Sequence, residues 1–170
     1  DSRYALFADY IRTAEIYKCP SDRSTVTLGQ KKFPKVRSYA LNSYLAWTLP
    51  TAYEANFHPD YRRFEKSTDL AGATPSELFT FIDVSPRFVC HPGFVVIVGS
   101  RYYYHMQSTQ HENGGVIAFA DGHADYRRWR ESQTRRETKK GDWIESHLFF
   151  DGLGNRDMLW LHERASVKKS

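Results

Sequence analysis

A chain of 170 residues is long enough for one domain with a proper core and short for two. Its net charge of +4 does not by itself mark a nucleic-acid binder, and no apolar run approaches the roughly 20 residues that cross a bilayer. Aromatic residues make up 15% of the chain, so most of them must be buried.

The first element read from the sequence is a helix over residues 2–17. Asp1 or Ser2 can cap it, and Leu6, Phe7, Tyr10, Ile11 and Ala14 recur at three- and four-residue spacing. It stops before Cys19-Pro20-Ser21-Asp22, where Pro20 stiffens a turn. Residues 23–34 are polar and read as loop, whereas 38–47 are aromatic and tolerate a strand. Residues 48–70 contain Pro50 and Pro59, lack a clean period, and read as a long irregular connection with room for a short helix. Thr74-Pro75-Ser76-Glu77 matches a helix capping box, yet residues 78–84 are rich in strand formers, and strand is the expectation. Further strands are expected at 94–98, 116–120 and 123–130. A short helix at 157–164 should partly bury Leu159, Trp160 and His162, and residues 165–170 should fray.

The stretch from His111 to His123 is the densest in signals. Asp121-Gly122 suits the centre of a two-residue hairpin turn. That register pairs Ala120 with His123, Phe119 with Ala124, Ala118 with Asp125 and Ile117 with Tyr126, and sets Ile117, Phe119, Ala124 and Tyr126 on one core face. His111 and Asp121 have the chemistry of a shared metal or acid-base site. A strand rising about 3.3 Å per residue would hold them roughly 15 Å apart, so a turn aspartate and a backbone-bonded loop histidine is the favoured reading.

Other chemistry stays open at this level. A metal hydrolase would use His111, His123, Asp121 and Asp125, with His123 and Asp125 sharing a strand face; Cys90 and His91 are adjacent but lack an obvious catalytic partner. Tyr102, Tyr103, Tyr104, Trp47, Trp129 and Trp143 offer rings for a carbohydrate-binding surface, with core packing as the plainer use. Arg127, Arg128, Arg130, Arg135, Arg136, Lys139 and Lys140 read as a solvated loop or hairpin extension. Cys19 and Cys90 permit either one bridge, worth about 4 kcal/mol in a chain-entropy model, or two unrelated buried thiols.

Five motifs run in order along the chain: Lys18-Cys-Pro-Ser-Asp22, Ser38-Tyr-Ala-Leu-Asn42, Phe81-Ile-Asp83 after Pro75-Ser76, His111 followed after nine residues by Asp121-Gly122, and Asp157 with Trp160-Leu161. Together they resemble the prepilin-type pseudopilins of bacterial type II secretion systems, in particular those whose C-terminal domain is named for His, nine residues and Asp-Gly. The resemblance implies an α+β head in which an N-terminal helix packs on an antiparallel sheet with long irregular loops. It implies one head over 1–170, with 1–17 as the end of a longer apolar helix, absent from this sequence, that anchors in the inner membrane behind a cleaved, methylated N-terminus. The head would be periplasmic and non-catalytic, with other pseudopilin subunits and the secretion machinery as partners and no nucleic acid.

The same resemblance marks His111, Gly114, Gly115, Asp121, Gly122, His123 and Asp83 as motif positions, and a periplasmic setting favours a Cys19–Cys90 bridge. Major pseudopilins bind calcium in a C-terminal loop, for which the oxygen-rich positions here are Asp121, Asp125, Asp151, Asn155 and Asp157. The terminal bidentate Glu of a helix-loop-helix calcium site is missing.

Overall fold

Thr25–Leu28 (β1) and Lys31–Pro34 (β2) form a hairpin in a computed structural model that describes residues 10–11, 13–45, 57–135, 149–151 (backbone only) and 154–169. The loop expected at 23–34 is therefore mostly strand. Its turn is Gly29-Gln30, with Gly29 at φ 63°, as a turn with glycine at the first central position requires. Neither strand buries a residue, so no apolar alternation marked them.

The main sheet is built from β3 (Tyr39–Asn42), β4 (Phe79–Asp83) and β5 (Gly93–Phe94), followed after the short β6 (Tyr102–Tyr103) by β7 (Gly114–Phe119) and β8 (Ala124–Arg128). Its order is β5-β3-β4-β7-β8, antiparallel except for the parallel β3–β5 pair. β6 pairs separately with β9 (Phe149–Asp151), and α1 (Arg156–Ala165) is the α-helix among the described residues. The fold is thus mixed α/β with antiparallel-rich sheets.

One sheet face is the core. Ala40, Ile82 and Ile117 stand side by side across β3, β4 and β7 and are 3%, 0% and 1% exposed. A bulge between Phe79 and Phe81 adds one residue to β4, so Phe79 and Ile82 both point inward although they are three positions apart. Met158, Leu161 and Ala165, at helical spacing on α1, join the same cluster. Asn42 ties these layers together, donating to the carbonyls of Phe79 (2.9 Å) and Ala165 (2.8 Å).

The opposite face is open. Leu41, Phe81, Ala118 and Ala124 are paired in one row, and Val116 pairs with Tyr126 beside them. Phe81, Val116 and Tyr126 are 49%, 39% and 45% exposed, an apolar strip of a kind that single scattered residues do not make.

The β7–β8 register departs from the sequence expectation by one residue. Ala118 pairs with Ala124, Ile117 with Asp125 and Val116 with Tyr126, so Tyr126 and Ala124 leave the core face. The cause is a three-residue loop: Gly122 N–H donates to the Phe119 carbonyl (3.0 Å), Phe119 N–H donates to the His123 carbonyl (2.9 Å), and Gly122 takes φ 94°. A turn followed by a left-handed glycine is the alternative to a two-residue turn, and Asp-Gly serves both.

Three other expectations change. The strand at 94–98 shrinks to Gly93–Phe94, although Val95, Val96 and Val98 are buried. The tail does not fray through residue 169: Ala165 is fully buried, Arg62 N–H donates to the Val167 carbonyl (2.9 Å), and Tyr61 bridges Lys168. Leu159 is 52% exposed where partial burial was expected. Of the N-terminal helix expected at 2–17, residues 2–9 and 12 lie outside the described residues; Ala14–Tyr17 is a 3-10 turn capped by Thr13.

Two outcomes follow from this packing. A Cβ on Gly114 would fall 2.3 Å from the Arg127 carbonyl and 2.6 Å from the Tyr126 ring, so Gly114→Ala should cost about 1–3 kcal/mol in chemical denaturation. His162, held by burial down to about 4, stays neutral in the fold while the unfolded chain takes up a proton below the ordinary 6.5. Stability should be complete above that value and fall as the pH drops towards 4. The loss is about 2–3 kcal/mol, and urea unfolding of His162→Gln should lack that component.

Candidate functional site

Cys19, Asp22, Ser38, Asp83 and His111 gather at one end of the main sheet. Cys19 and Asp22 lie on the turn after the 3-10 helix, and Ser38 precedes β3. Ser38 Oγ accepts from Cys19 N–H (3.1 Å) and donates to Asp22 Oδ2 (2.7 Å), while its own N–H donates to the Tyr17 carbonyl (2.9 Å). Burial pushes the Asp22 carboxyl up, but hydrogen bonds from Ser38 and Ser24 outweigh it and hold the group below the usual 3.8.

Asp83, at the end of β4, faces this turn. Its Oδ2 accepts from Val116 N–H (2.9 Å) on β7 and stands 3.4 Å from His111 Nε2. Burial dominates here and leaves the carboxyl above its ordinary range, against the pull of Val116 and His111. Tyr39 is held up to about 12, first by burial and then by Asp83. His111 itself opens a tight turn in which Glu112 and Asn113 both take positive φ and Gly114 N–H donates to the His111 carbonyl (2.8 Å). Tyr126 reaches across to donate to the same carbonyl (2.9 Å).

Cys19 Sγ lies 3.5 Å from His111 Nε2, so cysteine, histidine and aspartate stand together as in a nucleophilic triad. The wiring differs. A relay needs the nucleophile on one ring nitrogen and the carboxylate on the other, whereas Cys19 and Asp83 both address Nε2. The cluster is a clamp joining the Cys19 turn, β4 and the turn before β7.

Asp121 lies at the far end of β7, away from His111. Its Oδ1 accepts from His123 N–H (3.1 Å) and contacts His123 Nδ1 (2.6 Å), bonds that hold the carboxyl below its usual range. The His123 ring stacks on Phe119 at 4.4 Å. Gly115 sits where a Cβ would come 3.3 Å from Asp83 Cβ, and Gly122 supplies the left-handed turn residue.

Four of the residues nominated for calcium make hydrogen bonds within the chain. Asn155 caps α1, accepting from the N–H groups of Asp157 and Met158 (both 3.0 Å). Buried Asp157 accepts from Arg130 N–H (2.9 Å) and Glu131 N–H (2.9 Å). Asp125 bonds Tyr126 N–H (2.8 Å), and the Asp151 side chain lies outside the described residues. Among the described residues, Asp121, Asp125 and Asp157 do not gather their carboxylates into one group.

Sequence reasoning passed over one group. Among the described residues, Cys90, His91 and His105 alone bring three His, Cys or acidic ligand atoms within 4.8 Å. Val95 N–H donates to His105 Nδ1 (2.8 Å), which leaves the proton on Nε2, pointing at Cys90 Sγ 3.1 Å away. A metal would need the Nε2 lone pair with a proton on Nδ1, opposite to this arrangement. The adjacent Cys90-His91 pair was the signal for it. Cys19 and Cys90 are not bridged to each other: Cys19 lies beside His111 and Ser21, and Cys90 beside His105. Burial pushes the Cys90 thiol up.

The rings nominated for sugar stacking are divided. Trp129 is 1% exposed and donates to the Ser108 carbonyl (2.7 Å); Tyr103 and Tyr104 are buried and Tyr102 is 44% exposed. Trp47 and Trp143 lie outside the described residues, as do Arg136, Lys139 and Lys140.

Ser38→Ala removes a donor to Asp22 and an acceptor for Cys19 and should cost about 1–3 kcal/mol. Because Asp22 is depressed, its contribution is present above the ordinary 3.8 and is lost as the pH falls through its folded value. Acid titration of the variant should show a shallower loss over that window than the parent.

No family model matches the chain, and neither a curated protein nor a solved structure does.

Proposed function

We propose that this chain is the head of a pseudopilin-like assembly subunit, periplasmic and non-catalytic, whose partners are further subunits and the secretion machinery. The observation that carries the reading is the open apolar face with Phe81, Val116 and Tyr126, opposite a face already filled by the core and α1. Such a strip asks for a cover. The stripe of Leu6, Phe7, Tyr10, Ile11 and Ala14 has the matching character, and its chain enters the fold where Tyr17 meets Ser38, at the end of that face. Tyr10 and Ile16 are 85% and 60% exposed, apolar surface left for a partner to cover.

The motif cluster supports the same reading. Its hydrogen bonds join segments distant in sequence, and its one histidine is wired to clamp rather than to relay. No helix among the described residues is long and apolar enough to cross a membrane.

Mass spectrometry of the parent protein from cell envelopes should find a processed, N-methylated terminus and sedimentation with filaments. Phe81→Asp, at an exposed position, should change the head's stability by less than about 0.5–1 kcal/mol while abolishing that sedimentation. An unprocessed terminus, or filament association that survives Phe81→Asp, would sink the proposal.

A further inference from the structure

Beside β8 runs a shallow groove of about 560 Å³ lined by Arg127, Arg128, Arg130, Arg135 and Arg156. It continues into a second hollow of about 320 Å³ that shares Arg127, Arg130 and Arg156 and ends at Glu163. Five like charges around one groove repel one another unless something neutralises them. Local acids do this only in part. Glu131 pairs with Arg156 (2.6 Å), and Asp157 lies 3.8 Å from Arg127 with its oxygens already bonded to backbone. Arg128 and Arg130 have no ion pair among the described residues.

Arg127 is also set in place. Its guanidinium lies 4.0 Å over the Trp160 ring and 5.7 Å from Trp129, and its Nε is buried without a hydrogen-bond partner. A planar donor fork fixed by stacking suits the oxygens of an anion. The rings beside it do not suit a stacked base or sugar. Trp129 is 1% exposed, and the guanidinium groups of Arg127 and Arg164 (4.5 Å) lie over Trp160.

We propose that this groove binds a tetrahedral oxyanion, phosphate or sulfate, through Arg127, Arg128, Arg130 and Arg135, either as the free ion or as an ester group on a polymer. The site is independent of the assembly reading, since it rests on β8, the residues that follow it up to Arg135, and α1.

Thermal unfolding of the 170-residue chain tests it, with sodium phosphate and sodium sulfate compared with sodium chloride at matched ionic strength, and with heparin and polyphosphate as polymer probes. A saturable rise in Tm with phosphate or sulfate, absent in chloride, is expected for the free ion. Binding of the polymers alone assigns the ester form. In either case Arg128→Ala with Arg130→Ala, both exposed, should weaken binding about tenfold or more, while Lys31→Ala with Lys32→Ala on the β1–β2 hairpin leaves it intact. The proposal is overturned if neither the ions nor the polymers act differently from chloride. It is equally overturned if the arginine variant binds undiminished, or if the lysine variant loses as much.

Discussion

A carboxylate withdrawn from water costs several kcal/mol unless hydrogen bonds and charge compensate it, and at Asp83, 2% exposed, this fold arranges part of that compensation. Four segments meet at it. β3 pairs with it through Tyr39, β7 donates Val116 N–H, the turn before β7 presents His111, and Ser108 N–H donates to its carbonyl (2.8 Å). With Oδ2 aimed at Val116, β7 must enter the sheet close against β4, and closeness to β4 on one side and to β8 on the other accounts for the two glycines at its start. A side chain on Gly115 would press on Asp83, and one on Gly114 would collide with β8.

Once the entry of β7 is fixed, the nine-residue spacing of the motif explains itself. Between His111 and Asp121 lie Glu112 and Asn113 of the first turn, the six residues of β7, and Ala120 of the second turn. The motif records the length of one strand between two tight turns. Its histidine clamps one end through Asp83, and its aspartate holds the other through His123. Residues that look like a ligand pair on paper are therefore kept apart by the element they delimit.

The sequence disclosed the elements whose signal is local. β4, β7 and α1 lie where composition and period put them, and the separation of His111 from Asp121 followed from strand rise alone. What stayed hidden depends on partners remote in sequence. The bulge in β4 is invisible because Phe79, Phe81 and Ile82 are equally apolar, and only packing shows that Phe81 points away. The β7–β8 register was undetermined because Asp-Gly fits a two- or a three-residue loop. The β1–β2 hairpin buries nothing, so periodicity had nothing to register. The tail is ordered by Arg62 and Tyr61, about a hundred residues upstream. In the clamp, Asp83 and His111 were visible as motif residues, but nothing in their spacing showed that they touch.

The two proposed surfaces adjoin. Tyr126 belongs to the open face, where it pairs with Val116, and it also borders the arginine groove; Arg128, two residues on, shares its side of β8. Arg127, between them, points to the other side and stacks on Trp160. The groove therefore wraps the sheet's edge from the open face towards α1. A helix laid over Phe81 and Val116 would reach the groove's rim at Tyr126, and an anion held by Arg128 and Arg130 would lie beside that helix. Edge strand β8 is blunted by its arginines against pairing with another strand. A covering helix would therefore settle on the face of the sheet, while the edge remains a charged surface with chemistry of its own.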